Sequence, residues 1–585
     1  MTNIVHADPR YGPCKLAKID IADGFYRMWV RIADIVKLGV ILPCSHGGPS
    51  LVAFPLVLPM GWVESPPYFT VITETACDLA NAAVRTGLPA APHRLETLAA
   101  ESRPENAQER PYPSDWAAQQ ASFDHQSMPT APLAVADVYV DDFLLAAQTK
   151  RHQQRLLRLA LQAIDDVMRP LAASDPSHRK EPTSVKKLGQ GDAYWSTRKT
   201  ILGWDFDTVA GTLQLPPHRV ARLFELLDTV QPPRKRMPLK EWYRLLGELR
   251  SMEPGLPGAR GLFSFLQHAL SRGDRHRLRL NRHVFACVDD FRTLADSLGD
   301  RPTRLRELVP VAPSDIGACD ACRLGMGGVW FDAVAPVNAP IVWRQLFPAT
   351  VRTALITASS RAGSLSISDL ELAATIAHKD ILTQTRSVQE RTIWTASDNK
   401  AAVSWATKGS STTASARAYL LRLNALHQRH HRYVPRAHFI PGAVNSMADD
   451  ASRLWHLGDN ELLTHFNLHY PQPTSWTLQR LTPAMASALT GALFKQPHVP
   501  ASLCSAASPL IPLSASGRPF VKISASHPAS QTAPRTESLF YNCSPSATVL
   551  APSPPAVAPC DLAQWRTPYA VWDRRSPGWG PRTLV

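Results

Sequence analysis

The stretch that most constrains this chain is Tyr139-Val140-Asp141-Asp142, two adjacent carboxylates between the apolar runs Leu133 to Val138 and Phe143 to Ala147. Apolar flanks on both sides predict a β-hairpin with its acids at the turn. Two ionised carboxylates side by side repel each other, so the pair is tolerable when exposed or when a divalent cation neutralises it. An Asp-Asp by itself is most often an acidic turn. Its company decides.

Upstream, Lys18-Ile19-Asp20-Ile21-Ala22-Asp23-Gly24-Phe25-Tyr26 puts a third Asp at the end of another short apolar strand. Further on, Leu58-Pro59-Met60-Gly61-Trp62-Val63-Glu64-Ser65-Pro66-Pro67-Tyr68-Phe69 forms a Pro/Gly-punctuated loop running into a helix. These three stretches, in this order, resemble the palm of a reverse transcriptase. The resemblance implies that Asp20 and Asp141 bind two Mg²⁺ or Mn²⁺ ions with help from Asp142. It also implies that Phe25 sits under the incoming sugar and selects against a 2′-hydroxyl, and that Met60, Gly61 and Tyr139 contact nucleotide and template. Met60 stands where retroviral enzymes usually carry Gln. The chemistry needs such acids because two metals ~4 Å apart bridge the attacking 3′-oxygen and the leaving phosphate. Only nineteen residues precede Asp20, whereas in reverse transcriptases a fingers subdomain with basic triphosphate contacts comes first, so most of the fingers are expected to be missing.

A second constellation begins at Asp320-Ala321-Cys322-Arg323-Leu324-Gly325-Met326-Gly327-Gly328-Val329-Trp330, read as a strand ending in an acid, a Gly-rich turn and a second strand. Glu371 follows early in a predicted helix, Asp398 in Thr395-Ala396-Ser397-Asp398-Asn399, and Asp449 in Met447-Ala448-Asp449-Asp450-Ala451-Ser452-Arg453. The order Asp, Glu, Asp, Asp with these flanks resembles retroelement ribonuclease H. By the resemblance, Asp320, Glu371, Asp398 and Asp449 hold two Mg²⁺ or Mn²⁺ ions that activate water against the RNA strand of a hybrid.

Between the two constellations, Tyr68 to Arg85 is predicted as an amphipathic helix with Phe69, Ile72, Ala76, Leu79 and Val84 on its apolar side, ending near Gly87. Residues 89–132 are rich in Pro, Glu, Gln, Ser and Ala and are read as a surface insertion. Lys150 to Leu171 and His218 to Thr229 are predicted helices. The Leu202-Gly203-Trp204 hairpin resembles the primer grip of these polymerases. Lys240 to Leu270 is read as thumb or connection helices, and Ser271 to His283 as a basic stretch for phosphate or solvent.

Two local patterns point elsewhere and are set aside. Cys319 and Cys322 have zinc-like spacing but lack a second Cys or His pair. His427, His430 and His431 could bind metal, yet a basic helix face against nucleic acid or solvent is the simpler reading.

The formal net charge of +14 suits a polyanionic partner. Nine cysteines without paired spacing point to a reducing, intracellular compartment, cytoplasm or nucleus. No apolar run is long enough to span a bilayer, so no membrane partner is expected. From 497 to 585 the chain holds 15 Pro and 13 Ser, a composition read as a disordered tail.

The sequence reading is therefore an α/β chain: an α+β palm with truncated fingers over 1–215, thumb or connection helices over 216–303, a ribonuclease H-like α/β domain over 304–457, a helical extension over 458–496, and the tail. The resemblance implies a retrotransposon RNA-directed DNA polymerase with ribonuclease H activity, of Gypsy-type or DIRS-like origin. Its partners would be RNA template, DNA primer, RNA·DNA hybrid and dNTPs, with oligomeric state left open. The alternative is a degenerate or domesticated fragment that binds nucleic acid without copying it.

Overall fold

A computed structural model describes residues 1–42, 51–87, 89–105, 109–121, 131–175, 178–271, 276–300, 302–357, 361–411, 415–496 and 499–504. Most of the Pro/Ser-rich tail and part of the basic 271–283 stretch lie outside the described residues. The fold is mixed α/β, as expected, and divides into two compact units: Met1–Val220 with Pro302–Ala312, and Ala221–Arg301 with Pro313–Val585.

In the first unit, strands Lys15–Asp20, Asp142–Ala147 and Ala134–Tyr139 form an antiparallel sheet with the 142–147 strand in the centre. The period-2 alternation of that strand explains its central place. Phe143, Leu145 and Ala147 point into the main core with Ile19, Phe69 and Leu156, while Leu144 and Ala146 face a smaller cluster with Leu16 and Ile201.

Two helices cover the main-core face. Lys150–Met168 is capped by the Thr149 hydroxyl, buries Leu156, Leu157, Ala160, Leu161 and Ile164, and stops at Arg169, held extended before Pro170. Ser65–Thr86 opens with two prolines in its first turn and ends at Gly87, whose φ of 69° is the left-handed cap that glycine supplies cheaply. Its buried stripe runs through Phe69, Thr73, Ala76, Cys77 and Ala80. Leu79, predicted on the apolar side, is 47% exposed, because a period of 3.6 residues takes the stripe from Ala76 to Ala80 and past it.

The 89–132 segment is more than a surface insertion where it is described. Ala99 is fully buried, and buried Trp116 donates its indole N–H to the Val209 carbonyl at 2.9 Å. Arg158 pairs with Glu96 at 2.8 Å. Replacing 89–132 by a short Gly/Ser linker is therefore expected to lower the melting temperature by several degrees, since it exposes the surfaces that Ala99 and Trp116 cover. An unchanged melting curve would contradict this anchoring.

A second sheet in this unit orders strands Thr303–Arg304, Thr212–Gln214, Trp204–Asp207 and Arg198–Ile201. Trp204–Asp207 pairs with Thr212–Gln214 as the expected hairpin, but the stretch read as one strand from Ile201 breaks at Leu202 and Gly203, both with positive φ as a two-residue primed turn requires, and makes a second hairpin with Arg198–Ile201.

The second unit is built on a six-stranded mixed sheet in the order 434–439, 392–397, 313–321, 325–332, 341–346, 477–479. Strands 313–321, 325–332 and 341–346 are antiparallel; 392–397 and 434–439 add in parallel on one side. The glycines read as a turn lie instead inside the second strand. Each is needed there: a Cβ on Gly327 would meet the Ala451 backbone at 2.6 Å, and one on Gly328 the Ala318 carbonyl at 2.4 Å. Nor is the 458–496 extension purely helical, since Thr477–Gln479 supplies the edge strand and Leu462, Phe466 and Trp476 join the core.

Helices of the 221–301 stretch belong to this unit. The carboxylate of Asp290, on helix Arg282–Asp300, accepts 2.8 Å from Arg422, on helix Ala416–His431. Helix Ile367–Thr385, capped by a Ser366/Asp369 box, packs on the sheet, where Trp330 and Trp343 both donate their indole N–H to His378, at 2.7 Å to its carbonyl and 2.8 Å to its Nδ1. Among the described residues no helix is long and apolar enough to cross a membrane.

Candidate functional sites

Asp20 ends the first strand with its Cα directly opposite Asp142, and Asp141 occupies the turn between the other two strands. That turn carries an observed strain: Val140, a β-branched residue, sits at φ 59°. Such a conformation costs about 1–3 kcal/mol and persists where surrounding structure fixes it. Here the two flanking strands fix it, and it places Asp141 beside Asp20 and Asp142. The Ser184 N–H holds the Asp20 carbonyl at 2.8 Å. Burial pushes the Asp20 carboxyl above its usual range against the pull of Lys187, and the charges of Asp141 and Asp142 add to the push. Burial likewise raises Asp141, with Asp142 contributing.

Two lysines missed in the sequence face these acids. Lys187, on a short helix capped by Ser184, contacts Asp20 at 2.6 Å, and Lys18 contacts Asp142 at 3.0 Å. Lys187 lies far from the acids in sequence; Lys18, two residues before Asp20, is a signal that the sequence itself carries.

The other predicted palm residues fall on nearby loops. Phe25 is half-buried, edge-on to Phe69 at 5.0 Å. Leu56 and Leu58 bond the backbone of Val30 and Met28, fixing the path into the Met60-Gly61 loop. There Met60 is 69% exposed and Gly61 has φ 92° with nothing within 4 Å of a Cβ. Tyr139 is 42% exposed and lies opposite Asp142 in register. Arg27, another residue missed, is buried and donates to the Ala22 carbonyl at 2.6 Å and to the Glu181 carbonyl, clamping the loop after Asp20.

In the second unit, the four predicted acids come from four elements. Asp320 lies near the end of strand Pro313–Ala321, Glu371 early in helix Ile367–Thr385, Asp398 just past strand Thr392–Ser397, and Asp449 in the first turn of helix Ser446–Arg453. Asp320, Glu371 and Asp398 each offer a carboxylate oxygen, and these three atoms lie within 4.8 Å of one another. Asp449 joins through Arg453, which lies 2.9 Å from Asp449 and 3.6 Å from Asp320. The Ser452 hydroxyl donates to Asp320 at 2.5 Å. Asn399 caps the helix after Asp398, and a Cβ on Gly442 would meet Asp398 Oδ2 at 3.0 Å, so the Pro441-Gly442 turn rims the cluster.

The electrostatics are those of crowded acids. Burial, then the charges of Asp320 and Asp398, push Glu371 up to about 9. Burial and Asp320 push Asp449 up to about 6 against the opposing Arg453, and burial with Asp320 raises Asp398. Glu371 Oε2 is buried without a hydrogen-bond partner among the described residues. An all-oxygen donor set with an orphaned carboxylate oxygen fits a hard divalent cation. The Asp20, Asp141 and Asp142 trio fits the same chemistry less closely, since lysines already contact Asp20 and Asp142 and the three acids are not among the described groups whose ligand atoms converge within 4.8 Å.

The cysteine pattern forms no such group either: Cys319 is buried and Cys322 donates its thiol to the Ser452 carbonyl at 3.0 Å. The His427 to Arg432 run is not an exposed basic face, because His427, Arg429 and Arg432 are buried. The helix turns that side toward the protein interior.

No protein-family model matches the chain, and no curated protein matches it. Among solved structures, the chain is similar to the foamy viral protease-reverse transcriptase in complex with an RNA/DNA hybrid, with 13% identity and a TM-score of 0.33 over 74% of this chain and 44% of that one. Two further structures of that protein, one designated dRH with double-stranded DNA and one with double-stranded DNA, give TM-scores of 0.32 at 13% and 14% identity. They cover 74% and 68% of this chain and 58% and 61% of theirs. The chain thus spans about half the length of the structures it matches.

Proposed function

We propose that the chain is a retrotransposon enzyme of the reverse transcriptase type, of Gypsy-type or DIRS-like origin. It would hydrolyse the RNA strand of RNA·DNA hybrids in its second unit and carry a polymerase palm in its first. The observation that carries this reading is the convergence of Asp320, Glu371 and Asp398, with Asp449 tied to them through Arg453.

In this reading Asp320, Glu371, Asp398 and Asp449 would hold Mg²⁺ or Mn²⁺, which supplies charge neutralisation at the phosphate and a more acidic water. The chain's own residues set up the rest. Ser452 and Arg453 fix the Asp320 and Asp449 carboxylates in place. Burial and the charge of Asp320 raise the Asp449 carboxyl to about 6 before metal binds, so Asp449 takes up the ion by releasing its proton. Glu371, deep in the cluster, keeps its proton until another positive charge replaces it.

The last point gives a pH prediction. With Glu371 raised to about 9, the folded chain without metal holds a proton there that the unfolded chain has released. Its stability therefore falls as pH rises from the ordinary carboxylate range toward 9. A divalent cation must displace that proton, so its stabilising effect grows over the same window. The melting shift on adding Mn²⁺ is expected to be larger at pH 8.5 than at pH 6, and Glu371→Gln should flatten the difference. Equal shifts at both pH values would contradict the assignment.

For the palm, a second reading has an observation of its own. Lys187 and Lys18 already neutralise Asp20 and Asp142, as they would in a unit that binds primer and template without copying. Primer extension on an RNA template with dNTPs and Mg²⁺ separates the two. Synthesis abolished by Asp141→Asn supports the polymerase; binding of primer–template without synthesis supports the second reading.

A further inference from the structure

We propose that Asp380, His427 and His431 form a transition-metal site of the Zn²⁺ type, distinct from the four acids, that pins helix Ile367–Thr385 to helix Ala416–His431. His427 and His431 stand four residues apart and so share one helix face, with ring centroids 4.4 Å apart. Asp380 reaches them from the neighbouring helix. One ligand atom from each residue lies within 4.8 Å of the others.

The orientation of His427 is the decisive feature. The ring is fully buried, and its Nδ1 lies 2.9 Å from the Tyr433 hydroxyl. Its Nε2 is buried with no hydrogen-bond partner among the described residues. Asp380 Oδ1 is 3.4 Å from that nitrogen, and Asp380 Oδ2 accepts from Gln384 at 2.8 Å. A buried imidazole nitrogen left unpaired beside a carboxylate is costly unless something sits between them. An imidazole oriented through its far nitrogen, beside a carboxylate anchored through its far oxygen, is how first-layer metal ligands are usually supported.

The spacing agrees. Bonds of about 2.0–2.1 Å in a tetrahedral site place neighbouring donor atoms about 3.4 Å apart, the separation found between His427 Nε2 and Asp380 Oδ1. Two nitrogens and one oxygen select Zn²⁺-type ions over Mg²⁺ or Ca²⁺, which take oxygen ligands. His431 is half-buried, so one of the three ligands retains some contact with solvent. Asp380 lies nine residues beyond Glu371, roughly 13 Å along the helix axis, so the site would stiffen the helix that carries Glu371 without sharing its ligands.

The test uses the full chain, stripped of metal by chelation and then saturated with Mg²⁺ to fill hard-oxygen sites. Zn²⁺ is expected to bind at one ion per chain and, at a hundredfold excess over its Kd, to raise the melting temperature by roughly 5 °C. Co²⁺ in its place should give the intense visible absorption of a four-coordinate ion. His431→Ala and Asp380→Asn should each weaken Zn²⁺ binding by at least tenfold, whereas Asp398→Asn should leave it unchanged. If His431→Ala fails to fold, the isosteric Asp380→Asn decides. No Zn²⁺ uptake by the parent chain, or equal uptake by folded Asp380→Asn, would reduce the cluster to a buried histidine–aspartate pair and overturn the proposal.

Discussion

Phe143→Ala is expected to destabilise the first unit by about 3–5 kcal/mol, the range for emptying a fully buried aromatic site. Phe143 is 0% exposed, lies in the central strand opposite both Ile19 and Val138, and packs in the cluster that holds Phe69, Leu145 and Leu156. It also adjoins Asp142, so a collapsed cavity would shift the strand that carries that acid. Leu144→Ala, on the other face and in the smaller cluster, should cost less. Urea unfolding of the full chain checks both. A Phe143→Ala loss below about 1 kcal/mol, or one smaller than that of Leu144→Ala, would contradict the register.

Asp398→Asn is expected to reduce cleavage of the RNA strand of a hybrid by roughly 10³-fold, corresponding to about 4 kcal/mol of lost transition-state stabilisation. The substitution keeps the shape of the side chain but removes one charge from the Asp320, Glu371 and Asp398 cluster. Affinity for the hybrid should change little, since binding rests mainly on phosphate contacts. The same removal of charge should lower the Glu371 pKa, because Asp398 is one of the charges that raise it. A matched fall in affinity and cleavage would point to lost binding rather than lost chemistry.

What could be read in the sequence was whatever local pattern dictates. The apolar runs on both sides of Asp141-Asp142 dictated the hairpin, while the face that each residue takes is set by packing, since Phe143 to Ala147 are all apolar. Asp20 and Asp320 at strand ends, Glu371 early in its helix and the glycine closing helix Ser65–Thr86 were legible from local pattern, whereas Pro66 and Pro67, expected in a loop before a helix starting at Tyr68, lie in its first turn. Contacts between distant stretches were not. Lys187 approaches Asp20 from a helix that follows a long connection. Trp116 sits in a Pro-rich stretch whose composition reads as loop, yet its indole finds the Val209 carbonyl. Gly327 and Gly328 look like turn residues until the Ala451 and Ala318 backbones are seen against them. The histidine run looks like a charged face because sequence shows its basicity but not that Asp380 and Tyr433 close over His427.

In the proposed function, four carboxylates from four separate elements of the second unit act as one hydrolytic site. Gel cleavage of an RNA·DNA hybrid, labelled on the RNA strand, by the full chain tests it most directly, with and without Mg²⁺. Cuts are expected in the RNA strand alone, none after chelation, with loss of cutting in each of Asp320→Asn, Glu371→Gln, Asp398→Asn and Asp449→Asn. A folded chain that cuts nothing with Mg²⁺ or Mn²⁺, or an Asp398→Asn variant that cuts as well as the parent, would contradict it.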